Sequence, residues 1–313
     1  MPAALGFDLG GTQVRAALVQ DGAVVRREAL RTDVAGGPEA VMRQFVNLAN
    51  KVTGGIAPAA VGLAAPGPLD TDAGVVDHIP TLPGWDGFPL RTRLGETFGL
   101  PAAVENDGIA AAQGEWQHGA GRGLRHLVYV TVSTGVGGGV VMDGRLVHGR
   151  RGMGAHVGHF RIAENGPTCS CGRTGCFEAF VAGTALGRRA RVQANTETSG
   201  HLGRITGREV EARDAVEGAL QGDASCLALL AEEARLLGQG FASLAHLYGP
   251  ERIIMGGGVS HAFELLEDEI LRAYRAEAMP PYRDVVIVPA LLGDNAGLIG
   301  AAALALNASG GNP

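Results

Sequence analysis

His159, Cys169, Cys171 and Cys176 stand in the spacing His-x9-Cys-x-Cys-x4-Cys. Three thiolates and one imidazole form a closed tetrahedral donor set for Zn2+, which organises a loop and leaves no position for a reactive water. Gly172 and Gly175 allow the tight turns that would carry the chain round one ion. The competing reading is three cysteines that are simply buried or free. Cys226 stands apart in a helical pattern and reads as core.

Three glycine-rich turns offer a second chemistry. Asp8-Leu9-Gly10-Gly11-Thr12, Ser133-Thr134-Gly135-Val136-Gly137-Gly138-Gly139 and Met255-Gly256-Gly257-Gly258 each follow an apolar run. Turns with little side chain let backbone N–H groups close round phosphate oxygens. Asp8 adds a carboxylate able to hold Mg2+ through water, and Thr12 adds a hydroxyl. One such turn is as readily an ordinary hairpin, but three in one chain point to a nucleotide. Neither a Gly-Lys-Ser/Thr P-loop nor a dinucleotide fingerprint is present, because Gly10-Gly11 runs on into a strand pattern. A third feature, Glu105-Asn106-Asp107-Gly108, sits where a short strand meets the helix Ile109 to Gly119. A carboxylate fixed at such a junction is a candidate general base. Spacing alone favours the plainer reading, a helix N-cap pair.

The elements that must carry these residues follow from hydrophobic period. Ala3 to Phe7, Val14 to Val19 and Ala23 to Ala29 read as strands, with Asp21-Gly22 as a hairpin turn. Pro38 to Val52 reads as a helix entered through proline. Val61 to Ala65, Ala102 to Glu105, Leu127 to Val132 and Gly138 to Met142 are further strands, the last turning at Asp143-Gly144. Phe177 to Tyr248 is mostly helical, with a polar, mobile stretch expected around Asn195 to Gly207. Strands at Arg252 to Met255 and Val285 to Val288 resume the alternation, and a last helix starts near Asn295 and ends in a frayed tail. Strands alternating with helices are the signature of an α/β fold. The recurrence of strand then glycine turn suggests two similar halves.

Composition bounds the function. The chain has 313 residues, enough for two domains, and 50 glycines, more than twice the usual share of about 7%. Its formal charge is −6 with no basic run, which speaks against a nucleic-acid partner. No apolar stretch reaches the roughly 18 residues of a membrane span, and no signal peptide is evident. The expectation is a cytoplasmic protein with neither nucleic acid nor membrane as partner. In a reducing compartment the cysteine cluster favours a metal over a disulfide.

The glycine turns resemble the two phosphate motifs and the adenosine motif of the superfamily that joins sugar kinases, heat-shock cognate proteins and actin. That resemblance implies a two-domain actin-like ATPase (ribonuclease H-like) fold with the active site in the interdomain cleft. It implies a small α/β domain over 1–106, onto which a C-terminal helix over 295–313 packs back. A larger α/β domain over 107–294 would carry the zinc loop. Gly10, Gly11 and Thr12 would lie by the terminal phosphates of ATP, with Ser133, Thr134 and Gly135 opposite and Gly256, Gly257 and Gly258 along the adenosine.

The stretch from Gly158-His159 through Cys169-Ser170-Cys171-Gly172-Arg173-Thr174-Gly175-Cys176-Phe177-Glu178-Ala179 is similar to the signature of the ROK family (repressor, open reading frame, kinase). With the phosphate turns, the resemblance runs from Asp8 to Gly300. It implies that Asp107 takes the proton of the attacking hydroxyl and that Asn106, His159 and Glu178 bind the sugar. Gly67, Thr81 and His156 complete the implied substrate set, and His159 would serve the zinc with one ring nitrogen and a sugar hydroxyl with the other.

Two departures stand out. His156-Val157-Gly158-His159 replaces the more usual Glu-x-Gly-His, and Thr81-Leu82-Pro83-Gly84-Trp85 replaces Asn-Leu-Pro-Gly-Trp. Glu only accepts hydrogen bonds, whereas neutral His offers one donor and one acceptor. The His-x-Gly-His form is also similar to that of bacterial N-acetylmannosamine kinases. The implied activity is MgATP-dependent phosphorylation of a hexose at its 6-hydroxyl, of glucokinase type, with N-acetylmannosamine as the alternative sugar. A non-catalytic sugar sensor or repressor is the rival from another class, against which stands the absence of a winged-helix pattern before Asp8. The implied partners are thus a hexose or N-acyl amino sugar and a second copy of the chain, in a homodimer or higher homo-oligomer.

Overall fold

The computed structural model describes residues 2–77, 79 and 81–310. Strand β1 (Ala4–Leu9) is buried at every position, as a strand covered on both faces must be. It turns through Gly10–Thr12 into the antiparallel β2 (Gln13–Gln20), which pairs with β3 (Ala23–Arg31). Asp21 and Gly22 join those two with φ of 54° and 74°, the left-handed pair a two-residue hairpin needs. Helix α1 (Gly37–Thr53) has proline in its first turn and stops at Gly54 in the left-handed region. Strand β4 (Ala60–Ala65) runs parallel to β1. The small hairpin β5 (Leu69–Asp70) and β6 (Val75–Val76) and helix α2 (Leu90–Phe98) lead to β7 (Ala102–Asn106), parallel to β4. Helix α3 (Asp107–His118) starts directly from its end. The sheet order is β3-β2-β1-β4-β7.

A second sheet follows the same plan. Strands β8 (Leu127–Val132), β9 (Val136–Met142) and β10 (Arg145–Leu146) come first. Helices α4 (Phe177–Val181), α5 (Gly183–Thr196), α6 (Ala212–Leu220) and α7 (Ala224–Tyr248) fill the middle of the chain. The polar stretch after α5 carries one short helical turn, Leu202–Arg204. Then come β11 (Arg252–Gly256), α8 (Phe263–Glu277), β12 (Val286–Pro289) and the closing α9 (Ala296–Ser309). The order is β10-β9-β8-β11-β12, with β11 parallel to β8 and to β12. In each sheet the third strand in order, β1 or β8, passes through a glycine turn to its neighbour. Positions 311–313 of the expected last helix lie outside the described residues. Among the described residues no helix is long and apolar enough to cross a membrane.

The chain divides into two compact units, Met1–Arg125 with Gly138–Ala155 and Leu291–Pro313, and His126–Gly137 with His156–Ala290. The resemblance implied a division after Asn106. The contacts instead keep α3, β10 and most of β9 with the first sheet. In the first unit, Leu5, Phe7, Phe45, Leu48 and Leu63 pack one face of the sheet together with Trp85. The other face is lined by Ala4, Ala17, Val19 and Ala60 and meets Leu298, Ile299, Ala302 and Ala305 of α9. That approach is close. A methyl group at Gly6 would sit 2.1 Å from the Leu298 carbonyl oxygen, and one at Gly62 would sit 1.9 Å from that of Ala301, so neither strand position tolerates a side chain.

Candidate functional site

In the first unit the β1–β2 turn is tied to its surroundings by backbone bonds. The Gly10 N–H donates to Gln13 O at 2.9 Å, and the Thr32 hydroxyl donates to Gly10 O at 2.6 Å. Asp8, buried at the end of β1, pairs with Arg15. Burial raises its carboxyl above the ordinary value and the Arg15 charge works against that. Thr81 lies against the turn, since a methyl group at Gly11 would come within 3.0 Å of its Cβ.

At the end of β7, Asn106 is the N-cap of α3, and its side chain accepts the Gly108 N–H at 3.0 Å. The plainer reading of that residue therefore holds as a matter of geometry. Asp107 Oδ1 accepts the same N–H at 2.7 Å. Solvent reaches Asp107, yet the carboxyl is set among enough protein to push it from 3.8 up to about 6, and the negative charge of Asp8 adds to the effect. A carboxylate with that affinity is tuned for proton transfer near neutrality. Gly67 lies beside Asn106, 3.3 Å separating an added methyl from Asn106 Nδ2.

In the second unit, the donor atoms of His159, Cys169, Cys171 and Cys176 all lie within 4.8 Å of one another. A tetrahedral Zn2+ with bonds of about 2.3 Å to sulfur and 2.0–2.1 Å to nitrogen sets S···S near 3.8 Å and S···N near 3.6 Å. Cys171 Sγ and Cys176 Sγ are 3.7 Å apart, and Cys169 Sγ lies 3.5 Å from His159 Nδ1. The donor set and its spacing fit zinc. The loop is shaped by backbone bonds, with the Cys169 N–H donating to Arg173 O at 2.7 Å and Gly172 N–H to Cys169 O at 3.0 Å. Gly175 has φ of 83°, and a methyl there would lie 2.1 Å from the Ala163 carbonyl oxygen, so only glycine fits. The Arg173 backbone N–H pulls the Cys171 thiol down to about 7, towards the thiolate a metal requires.

Glu178 connects this loop to the second phosphate-type turn. Its Oε1 accepts the Ser170 hydroxyl at 2.5 Å and faces Cys169 Sγ at 3.3 Å. Its Oε2 accepts the Val136 N–H at 3.0 Å, directly after Ser133-Thr134-Gly135. Those hydrogen bonds hold the carboxyl below its usual range against the cost of its partial burial. The same turn is braced from α5, where Gly183 N–H donates to Ser133 O at 2.7 Å and the Thr184 hydroxyl to Thr134 O at 2.8 Å. Gly258, in the turn after β11, has Ser133 Oγ 4.0 Å from where its Cβ would be, so Gly256, Gly257 and Gly258 adjoin that turn. His156 is exposed with its ring 6.3 Å from that of His159. Partial burial first, and the His159 charge second, lower its pKa, which favours the neutral ring with one donor and one acceptor.

The first unit thus gathers Asp8, Gly10, Gly11, Thr12, Gly67, Thr81, Asn106 and Asp107. The second gathers Ser133, Thr134, Gly135, His156, His159, Glu178, the three cysteines and Gly256–Gly258. The sequence reading missed Glu115, which is fully buried on α3. Its carboxylate accepts the N–H groups of Ala120 (2.8 Å), Leu291 (3.2 Å) and Leu292 (2.7 Å). The available signal was a charge within the uniformly buried run Gly108 to Glu115.

The model of the ROK family matches residues 4–308. The chain is 35% identical to a glucokinase of Thermotoga maritima over 311 residues, 98% of each chain. It is 32% identical to an N-acetylmannosamine kinase of Citrobacter koseri over 305 residues, 96% of this chain and 98% of the other. The crystal structure of a ROK family glucokinase from Streptomyces griseus, in complex with glucose and AMPPNP, superposes with a TM-score of 0.86 at 34% identity, covering 97% of this chain and 99% of that one. The chain belongs to the ROK family, and its α/β architecture is the actin-like ATPase fold of those structures.

Proposed function

We propose that this member of the ROK family is an ATP-dependent hexose kinase that phosphorylates the sugar 6-hydroxyl, with glucose as its first substrate. The observation that carries the reading is the Asn106–Asp107 pair at the start of α3, its carboxyl held at about 6 beside Asp8 of the phosphate-type turn. Full-length similarity to glucokinases supports it.

In this reading Asp107 accepts the proton of the attacking hydroxyl and Asn106 orients the sugar by hydrogen bonding. His156, His159 and Glu178 hold further hydroxyls, with Gly67 and Thr81 nearby. The turns Gly10-Gly11-Thr12 and Ser133-Thr134-Gly135 receive the phosphates through the N–H groups of Gly11, Thr12, Thr134 and Gly135, while those of Gly10 and Ser133 close the turns on Gln13 O and Gly135 O, and Gly256–Gly258 border the adenosine. Asp8 would hold Mg2+ through water, and the ion when bound would supply the charge that offsets build-up on the transferred phosphoryl group. Zn2+, when bound by His159, Cys169, Cys171 and Cys176, would have a structural part, fixing the His159 ring and the loop from which the Ser170 hydroxyl braces Glu178. A cytoplasmic location and a homo-oligomeric state belong to the same reading, the latter checked by light scattering.

N-acetylmannosamine is the second reading, favoured by His156 where Glu is usual and by the similarity to N-acetylmannosamine kinases. A coupled ADP-release assay with MgATP decides between them, run against glucose, mannose, N-acetylmannosamine, N-acetylglucosamine and fructose. Glucose far ahead supports the first reading and makes His156 a tolerated variation. N-acetylmannosamine ahead supports the second. Silence on every sugar refutes both and moves the weight to a sugar sensor.

A further inference from the structure

Glu105 immediately precedes the Asn106–Asp107 pair, and it is only 5% exposed. Its Oε1 accepts the backbone N–H of Asn106 at 2.8 Å. Its Oε2 lies 3.0 Å from Nε2 of His148, in the segment after β10. His148 is itself held. Its ring also bonds the Leu146 carbonyl, and its own carbonyl accepts the Gly154 N–H at 2.6 Å. The Val147 N–H beside it donates to Val140 O at 2.8 Å. The hydrogen bond to Glu105, with the charge of Asp72 and the Leu146 carbonyl, raises His148 above the ordinary imidazole range.

A buried carboxylate costs stability, and an apolar residue of similar size serves a strand end as well or better. Asn106 stands opposite Ala65 at the last register position of the β4–β7 ladder, and its N–H is given to Glu105. What the pair does fix is the peptide from which Asn106 and Asp107 project. We propose that Glu105 and His148 are positioning residues for the Asn106–Asp107 pair: the imidazole locks the Glu105 carboxylate, and the carboxylate locks the Asn106 peptide. This rests on Asn106 as sugar ligand and Asp107 as base.

The test compares variants that break the 105–148 bond with variants that keep one. H148L and E105A lose it. They are expected to lower kcat for sugar phosphorylation by roughly 10- to 100-fold, the scale of a catalytic group displaced by under an ångström, with KM for MgATP within about twofold. H148Q and E105Q retain a donor–acceptor pair and are expected to stay within about threefold of the native kcat, since one neutral hydrogen bond replaces a charged one. Thermal unfolding and circular dichroism normalise each rate to folded protein. Should H148L or E105A fail to fold, the two conservative variants still decide: a kcat more than about tenfold down in both overturns the inference. Equal rates in all four variants, alongside an inactive D107A, likewise overturn it. Turnover by D107A at the native rate overturns the reading of Asp107 beneath it.

Discussion

Replacing Asp107 with asparagine removes the proposed base while keeping the shape of the side chain and the bond from the Gly108 N–H. A positioned general base contributes roughly 10²–10⁴-fold, so D107N should lose at least about a hundredfold in kcat, with the dissociation constant for the sugar changed by no more than about threefold. The native enzyme should show the base in its pH profile. With the carboxyl at about 6, it is roughly nine-tenths ionised at pH 7 and one-tenth at pH 5. With both substrates far below saturation, the rate should therefore fall about tenfold for each pH unit below 6.

Stability should move the other way. The group binds its proton more tightly folded than unfolded, so its contribution is fully present below the ordinary 3.8 and is lost as pH rises through about 6. D107N should consequently raise the melting temperature above pH 6 and match the native chain near pH 4. Solvent contact at Asp107 limits the size of that gain. A flat rate profile down to pH 5, or native turnover by D107N, would refute the argument.

Metal analysis of purified protein should find about one zinc per chain. Stripping it with a chelator should raise the KM for sugar, through lost support of His159 and Glu178, more than the KM for MgATP; a zinc-free preparation with full activity would sink the proposal. E115A should destabilise the chain by about 1–3 kcal/mol in urea unfolding, because the N–H groups of Ala120, Leu291 and Leu292 lose their acceptor. A change under about 1 kcal/mol would mean that water takes the carboxylate's place.

Much of this molecule is legible in its sequence because the signals are local. The donor set proposed for zinc lies between His159 and Cys176, close enough in sequence for its spacing to be read directly. The Asp21-Gly22 turn and the Pro38 start of α1 are governed by backbone preference at single residues. Helix α2 escaped notice because only Leu90 and Leu94 of its nine residues are buried, too few to mark a period. The division into units was legible only in part, since Gly138–Ala155 and Leu291–Pro313 return to the first unit after excursions in the second. Glu115 finds its partners 176 and 177 residues away, and no pattern within α3 announces them. Asn106 and Asp107 read as a plain helix cap until the resemblance assigned them a sugar.

The docking of α9 against the first sheet has a consequence for how the protein is made. Ala4, Ala17, Val19 and Ala60 of that face have all been synthesised by the end of β4 at Ala65, yet the helix that covers them begins at Ala296. The ribosome must add roughly 230 residues in between, which takes on the order of ten to fifty seconds at about 5–20 residues per second. For that interval the nascent chain carries an uncovered alanine-rich surface, so the arrival of α9 is the event that seals the first unit. A chain terminated a few residues before Ala296 would hold every proposed catalytic and zinc residue and still present that surface to chaperones and proteases.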